Sequence, residues 1–288
     1  MGIIILLISA LFFSLNSYFG KIAINMTGMS GIVVSFSRFF IGTLGMLVYI
    51  LLKKKPFKAS NMGPIHTRAI FNSFSILLSS ASLKYTTIIN SNMLSMTYPV
   101  FVILLSPMLI KEKIKKSTYI YLILIMTGSY IIANPSFGNV NYGDLLAFIS
   151  AFSAAISVIY LKVAQEENEG YIIIFYVMFI GTLINIPFVY KSLINFDIKG
   201  LLPVFVSGLM GFLGQIFITE GYKYVDSATG ALVLTSRIIM SGLIGYIFLS
   251  EPLDVRIITG MILVIVSLIG VSGFFEKRLG SIRNKNRV

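Results

Sequence analysis

The chain matches itself when slid by 139 residues. Gly31, Phe36, Phe40, Ile41, Gly42, Thr43 and Leu44 fall on Gly170, Phe175, Phe179, Ile180, Gly181, Thr182 and Leu183. Lys84 and Tyr85 fall on Lys223 and Tyr224, and Glu112 falls on Glu251. Such a chain must fold as two related units. In a strongly apolar sequence, two related bundles moving around a shared site are how alternating access is built.

The chain is 56% hydrophobic and 12% charged, against about 25% charged in a soluble domain. The charges cluster and leave apolar runs close to the roughly 20 residues that cross a bilayer as a helix. A soluble helical protein is excluded on that balance. Met1 leads straight into an apolar run through Phe13 with no basic n-region and no small-residue cleavage site, so a first span to about Gly20 is expected rather than a cleaved leader. There are no cysteines and one histidine. Disulfides and thiolate chemistry are excluded, and thiols give no argument about compartment.

Hydropathy and breakers predict an all-α membrane protein of ten transmembrane helices, over about 3–20, 31–52, 66–84, 88–109, 118–134, 143–163, 171–190, 200–221, 228–249 and 256–275. The turn-rich stretch Asn134-Pro135-Ser136-Phe137-Gly138-Asn139 divides a first repeat, 1–137, from a second, 138–276, before a short basic tail, 277–288. Five helices per half is an odd number, so the second half starts on the opposite side of the membrane. The repeats are therefore inverted about a pseudo-two-fold axis in the membrane plane, with a site expected near the midplane.

Lysine and arginine set the orientation. Sixteen are assigned to the connections and tail on one face, including Lys53, Lys54, Lys55, Lys58, Arg68, Lys111, Lys162 and Lys223, against five on the other, with Lys21 and Lys84 among them. The basic side favours the cytoplasm, so both termini are expected there, in the cytoplasmic (inner) membrane. The net charge of +12 is explained by these short loops and their contact with anionic lipid headgroups, without nucleic-acid binding.

Two arginines remain inside spans. Arg38 sits about 12 Å into the second and Arg237 about 15 Å into the ninth, at 1.5 Å per residue. An arginine there costs at least roughly 2.5 kcal/mol, so each should face a cavity or a partner. A substrate carboxylate or phosphate is one partner; helix-end carbonyls, or Glu220 for Arg237, are the others. At the repeat offset Arg237 falls on Tyr98. Ser91, Ser95 and Tyr98 form a stripe, flanked by Asn92 and Thr97, that is expected either to line the cavity or to bond between helices. Pro99 interrupts the fourth span, and Ile238 at the equivalent place predicts that the break is confined to the first half. Gly208, Gly211 and Gly214 predict a close helix contact. Asn16, Tyr18, Asn72 and Gln215 are further cavity candidates. Glu112 and Glu251 end equivalent helices and suggest gating, and Glu220 is the leading carboxylate for proton coupling.

The order of these features resembles the EamA-type branch of the drug/metabolite transporter superfamily over nearly the whole chain. The resemblance rests on Lys21, Arg38, Arg68, Leu83-Lys84-Tyr85, Tyr98-Pro99-Val100-Phe101 and Glu112. In the second half it rests on Gly143-Asp144-Leu145-Leu146, Gly221-Tyr222-Lys223-Tyr224 and Leu249-Ser250-Glu251-Pro252. It implies ten helices in two repeats and carriage of amino acids, drugs or other metabolites. Lys21, Arg38 and Arg68 are similar to a subgroup that includes S-adenosylmethionine carriers. Many members repeat the Tyr-Pro-type motif in helix nine; Arg237-Ile238 stands there instead, which favours an anionic or zwitterionic substrate.

The leading expectation is a secondary-active or exchange transporter of small organic metabolites, amino-acid-like, zwitterionic or anionic, with export of drugs or toxic metabolites as the alternative. An integral-membrane enzyme needs metal ligands or a clustered acid/base set, which this composition does not supply; His66 beside Arg68 suits a headgroup contact. A channel or lipid flippase lacks a visible filter or charge ring, and no G-x-x-x-x-G-K-[ST] motif supports ATP-driven transport. No cofactor or metal is expected. The expected partners are a small-molecule substrate and membrane lipids, with no nucleic acid, and a homodimer is compatible with the sequence. The topology makes one test: a cysteine at Asn139 should label only from outside the cell and one at Ser117 only from inside, and labelling of both from one face would end the ten-span arrangement.

Overall fold

A computed structural model describes residues 1–82, 85–86, 88–135, 141–194, 197–249 and 254–272. Glu251, Lys84, Asn139 and the basic tail lie outside them. Among the described residues the chain is helical, with no strand. The helices are α1 (Gly2–Thr27), α2 (Gly31–Leu52), α3 (Met62–Ser82), α4 (Ile88–Ser95), α5 (Tyr98–Ile110), α6 (Lys116–Ala133), α7 (Tyr142–Glu167), α8 (Gly170–Ile194), α9 (Leu201–Gly221), α10 (Ser227–Leu234), α11 (Arg237–Leu249) and α12 (Val255–Val271). Eight segments, two of them running through α4–α5 and α10–α11, are long and apolar enough to cross a bilayer. The shorter apolar α12 and the more polar α3 complete ten crossings in two inverted repeats of five.

Local chemistry fixes the helix ends. Gly28, at φ 68°, closes α1 by donating its N–H to the Ile24 carbonyl, a left-handed position that suits glycine. Ser30 caps α2 by accepting from the Ile32 N–H. Asn141 and Asp144 form a reciprocal capping box on α7, and Asp226 and Asp254 cap α10 and α12. Between caps the backbone bonds stay inside each helix, as hydrocarbon requires. Large apolar side chains such as Leu104, Ile120, Ile123 and Phe188 stand exposed on the outer faces, where lipid covers them.

The packing repeats about an axis. Helix α1 packs on α9 and α3 on α7, two pairs that exchange under the duplication, while α2 packs on its own counterpart α8 and α6 on α12. At the α2–α8 crossing Thr43 Oγ1 lies 3.0 Å from Thr182 Oγ1, two residues 139 apart. Only on a two-fold axis does a residue touch its own image. Beside that bond Gly42 accommodates Met178 and Gly181 accommodates Phe39, and these contacts are also images of one another. At the α6–α12 seam Gly128 and Gly260 each approach the other's backbone oxygen.

Three sequence expectations change. The break in helix four recurs in the second half, between α10 and α11, at the equivalent residues. Pro99 is therefore not its cause. Thr97 N–H bonds to Leu94 O, and Thr235 and Ser236 N–H bond to Leu232 and Val233 O, so each joint is tightened into i→i−3 bonding. The hydroxyls of Thr97 and Thr235 bond back to the same Leu94 and Leu232 carbonyls, competing with the helical ladder. Second, Arg68 is no loop residue: it is the seventh residue of α3 and is 2% exposed. Third, Lys162 lies inside α7, its ammonium donating to the Tyr222 and Val225 carbonyls at 2.7 and 2.8 Å, and Lys21 lies inside α1, which runs on to Thr27.

The axis contact makes an asymmetric prediction. A methyl added at Gly181 meets the rigid Phe39 ring, whereas one at Gly42 first meets the thioether end of Met178. Gly181→Ala is expected to destabilise by about 1–3 kcal/mol, as overpacking does, and Gly42→Ala by less. Thermal melts of the purified protein check the order, and equal shifts would contradict it.

Candidate functional site

The site is built on α9. Gly208, Gly211 and Gly214 lie on one face, against Ser37 and Ile41, the Arg38 stem, and the Phe13 ring in turn. This close approach draws α1 and α2 onto α9. It also lays the Arg38 guanidinium carbon 5.4 Å from the Phe13 ring centre and 5.1 Å from that of Phe39. Arg237, the first residue of α11, places its own guanidinium 5.8 Å from the same Phe13 ring. Two arginines thus share one aromatic ring, each contact worth about 0.5–2 kcal/mol depending on how far water is excluded.

The polar surroundings are donor-rich. Arg237 donates to Ser17 Oγ at 2.6 Å, and its carbonyl accepts from Ser14 Oγ. The Nε of Arg38 is buried without a partner. Tyr98, at the start of α5, donates its hydroxyl to the Ala231 carbonyl of α10 at 3.0 Å. Arg68 donates to Ser157 Oγ at 2.7 Å, while Ser157 donates back to the Arg68 carbonyl. Among the described residues no carboxylate pairs with any of the three arginines. No group of three or more Asp, Glu, His or Cys among them is placed to hold a metal.

Several sequence candidates lie elsewhere. Ser91 bonds to Ser82 Oγ and to the Ser79 carbonyl, and Ser95 to Ser79 and Ser150. The stripe is therefore a seam between α4, α3 and α7, and Asn92 beside it is exposed. Asn16 is consumed by Ser207, donating to its carbonyl and hydroxyl. Tyr18 packs on Phe19 and Phe248. Gln215 is 1% exposed with its amide nitrogen unpartnered, and Asn72 Nδ2 is also unpartnered. Pro99 is buried as the second residue of α5. Glu220 accepts from Lys223 and Tyr224 at an exposed end of α9, and so is neither the partner of Arg237 nor a buried proton carrier. Glu112 accepts from the Ser227 N–H at 2.7 Å, tying the end of α5 to the start of α10. It borders an open cavity of about 550 Å³ with Lys162, Lys223, Asp226 and Thr229. Arg68 was missed because the sequence reading began helix three at residue 66, too late to give Arg68 depth.

The family model of the EamA-like transporter family matches residues 1–134 and 141–273. The pseudopaline exporter CntI of Pseudomonas aeruginosa (strain UCBPP-PA14) is 25% identical over 245 residues, covering 83% of this chain and 85% of that one. An uncharacterized transporter of Helicobacter pylori (strain ATCC 700392 / 26695) is 25% identical over 277 residues, covering 92% of each chain. One solved crystal structure superposes with a TM-score of 0.76 at 14% identity, covering 96% of this chain and 98% of that one, a likeness of fold.

The placement of Glu220 is testable. An exposed pair is worth up to about 1 kcal/mol, so Glu220→Gln should leave uptake into proteoliposomes, and its pH profile, essentially unchanged. A carrier that loses its pH dependence on this substitution would return Glu220 to a coupling role.

Proposed function

This chain belongs to the EamA-like transporter family, and we propose that it moves small anionic or zwitterionic metabolites by alternating access around the arginines at its centre. Membrane transport of small molecules is the activity its named relatives share, and they are transporters rather than enzymes. The observation that carries the finer reading is the absence, among the described residues, of an acidic partner for Arg38, Arg68 or Arg237. Arg68 is buried and Arg38 and Arg237 are half-buried; cations at such depth without counter-charge are costly, and a substrate carboxylate offsets that cost by accepting charge-assisted hydrogen bonds. The shared Phe13 ring holds Arg38 and Arg237 so that both donate to one anion.

The pseudo-symmetry supplies the motion. Because the α1–α9 and α3–α7 contacts are images of each other, the halves 1–137 and 138–276 rock between two related packings, opening the site first to one face and then to the other. The joints at 96–97 and 235–236 let the half-helices tilt. The basic excess supports a cytoplasmic location for both termini, in the cytoplasmic membrane. Exchange or an ion gradient drives the cycle, and the name of the Pseudomonas aeruginosa relative favours export.

A thermal-shift screen against amino acids, nucleosides, S-adenosylmethionine and organic acids should yield stabilising ligands that carry a carboxylate or phosphate. Arg237→Gln should abolish their stabilisation and their transport while its ligand-free melting stays near that of the parent protein. Hits confined to neutral or cationic compounds, or a variant that loses folding and transport together, would overturn the reading.

A further inference from the structure

The two half-helix joints are images of each other, yet they are not in the same state. Helix α10 packs on α1 and α12, and its image α4 packs correspondingly on α7 and α6. Helix α10 also packs on α5, α6 and α7, whereas among the described residues α4 makes no comparable contact with the image helices α11, α12 and α1. Burial follows the same division. Ala231 is fully buried, but Asn92, its equivalent in the first repeat, is exposed. Gly2 lies against Tyr224 and Val225, and Glu112 accepts from the Ser227 N–H, so the tighter side is the face that carries Met1. The looser side lies between α4 and α11, towards the opposite face.

The backbone at the joints carries the same asymmetry. In the first half the Met96 N–H bonds to the Asn92 carbonyl at 2.9 Å, in the ordinary i→i−4 pattern. In the second half the equivalent Thr235 N–H bonds instead to the Leu232 carbonyl at 3.2 Å, and the Ala231 carbonyl accepts from the Tyr98 hydroxyl at 3.0 Å. On the tighter side, a side chain of one repeat thus holds a joint carbonyl of the other. The residue equivalent to Tyr98 is Arg237, and the carbonyl equivalent to that of Ala231 belongs to Asn92. Arg237 is half-buried and donates to the exposed Ser17 at 2.6 Å, so its guanidinium stands at the edge of the looser side. An extended arginine reaches about as far as a tyrosine, and a carbonyl oxygen with two lone pairs can accept a second donor.

We propose that Arg237 is the latch of the face opposite Met1. When α4 closes on α11, its guanidinium leaves Ser17 and donates to the Asn92 carbonyl, as Tyr98 now donates to Ala231 on the Met1 side. The Met96 N–H then moves on to the Met93 carbonyl, in the manner of Thr235. The Tyr98–Ala231 bond breaks in the same step, so that the two latches are made alternately. This rests on the alternating-access reading and does not depend on the charge of the substrate. It gives Arg237 a task in gating besides the one in ligand binding.

The test uses the full-length protein in nanodiscs, without ligand. The chain has no cysteine, so single cysteine reporters are specific. Asn92→Cys keeps the carbonyl that the latch uses and should react rapidly with a water-soluble maleimide, whereas Ala231→Cys should react slowly. Tyr98→Phe keeps the ring and removes the hydroxyl of the latch now made. It should speed the Ala231→Cys reaction about two- to tenfold, the worth of one neutral hydrogen bond, and slow that of Asn92→Cys. Adding Arg237→Gln should return both rates towards those of the parent. Spin labels read the same equilibrium without a reporter in the core. Tyr85 with Ile247 and Tyr224 with Met108 are image pairs at exposed positions on the two faces; the first should be the wider in the parent and should shorten with Tyr98→Phe. Equal rates at the two reporters with equal spin-label distances, or a Tyr98→Phe response that persists in Arg237→Gln, would overturn the latch and leave the ligand test of the central arginines standing. Reporters that speed up together with Tyr98→Phe would overturn alternating access, and the latch with it.

Discussion

The hydrogen bond between Thr43 and Thr182 is the contact from which the rest of the arrangement follows. A residue meets its own image only on a two-fold axis, and that axis dictates every other pairing. It makes α2 pack on α8 and α6 on α12, and it turns α1–α9 and α3–α7 into two versions of one interface. Glycines make the axis passable. Gly42 and Gly181 leave room for Met178 and Phe39, so the backbones come close enough for short hydroxyls to meet. In lipid, where apolar side chains gain little by leaving their surroundings, such close packing is the main source of helix association.

The same geometry shapes the chemistry of the interior. The α9 glycines draw α1 and α2 inward, and that placement brings Phe13, Arg38 and Arg237 together. Most other interior polar groups are spent on one another. Ser91 and Ser95 join α4 to its neighbours, and Asn16 joins α1 to Ser207. The arginines stand out because no acid among the described residues pairs with them, so their charge acts in a medium that screens it poorly.

Much of this was legible in the sequence. The duplication and the odd number of spans per half were enough for ten crossings and an inverted axis, and depth alone singled out Arg38 and Arg237. What failed were distinctions that depend on which way a residue faces. Ser91, Ser95 and Tyr98 share a helical spacing, yet the serines point into a seam and Tyr98 into the interface with α10. Pro99 drew attention to a joint that threonine hydroxyls make in both halves. Arg68 and Lys162 sat close enough to helix ends to count as loop charges, and only the packing of α3 on α7 and of α7 against the end of α9 showed Arg68 to be buried and Lys162 to be tied to the turn after α9.

Tyr98 and Arg237 begin equivalent half-helices and make different bonds. A single five-helix unit paired with an identical copy would carry the same residue at both places. Two arginines would set like charges across the axis, and two tyrosines would remove the cation. Joining the copies in one gene lifts that restriction, because each position then mutates alone. The divergence of this pair thus puts two different side chains into a symmetric frame, whose axis keeps a threonine from each half.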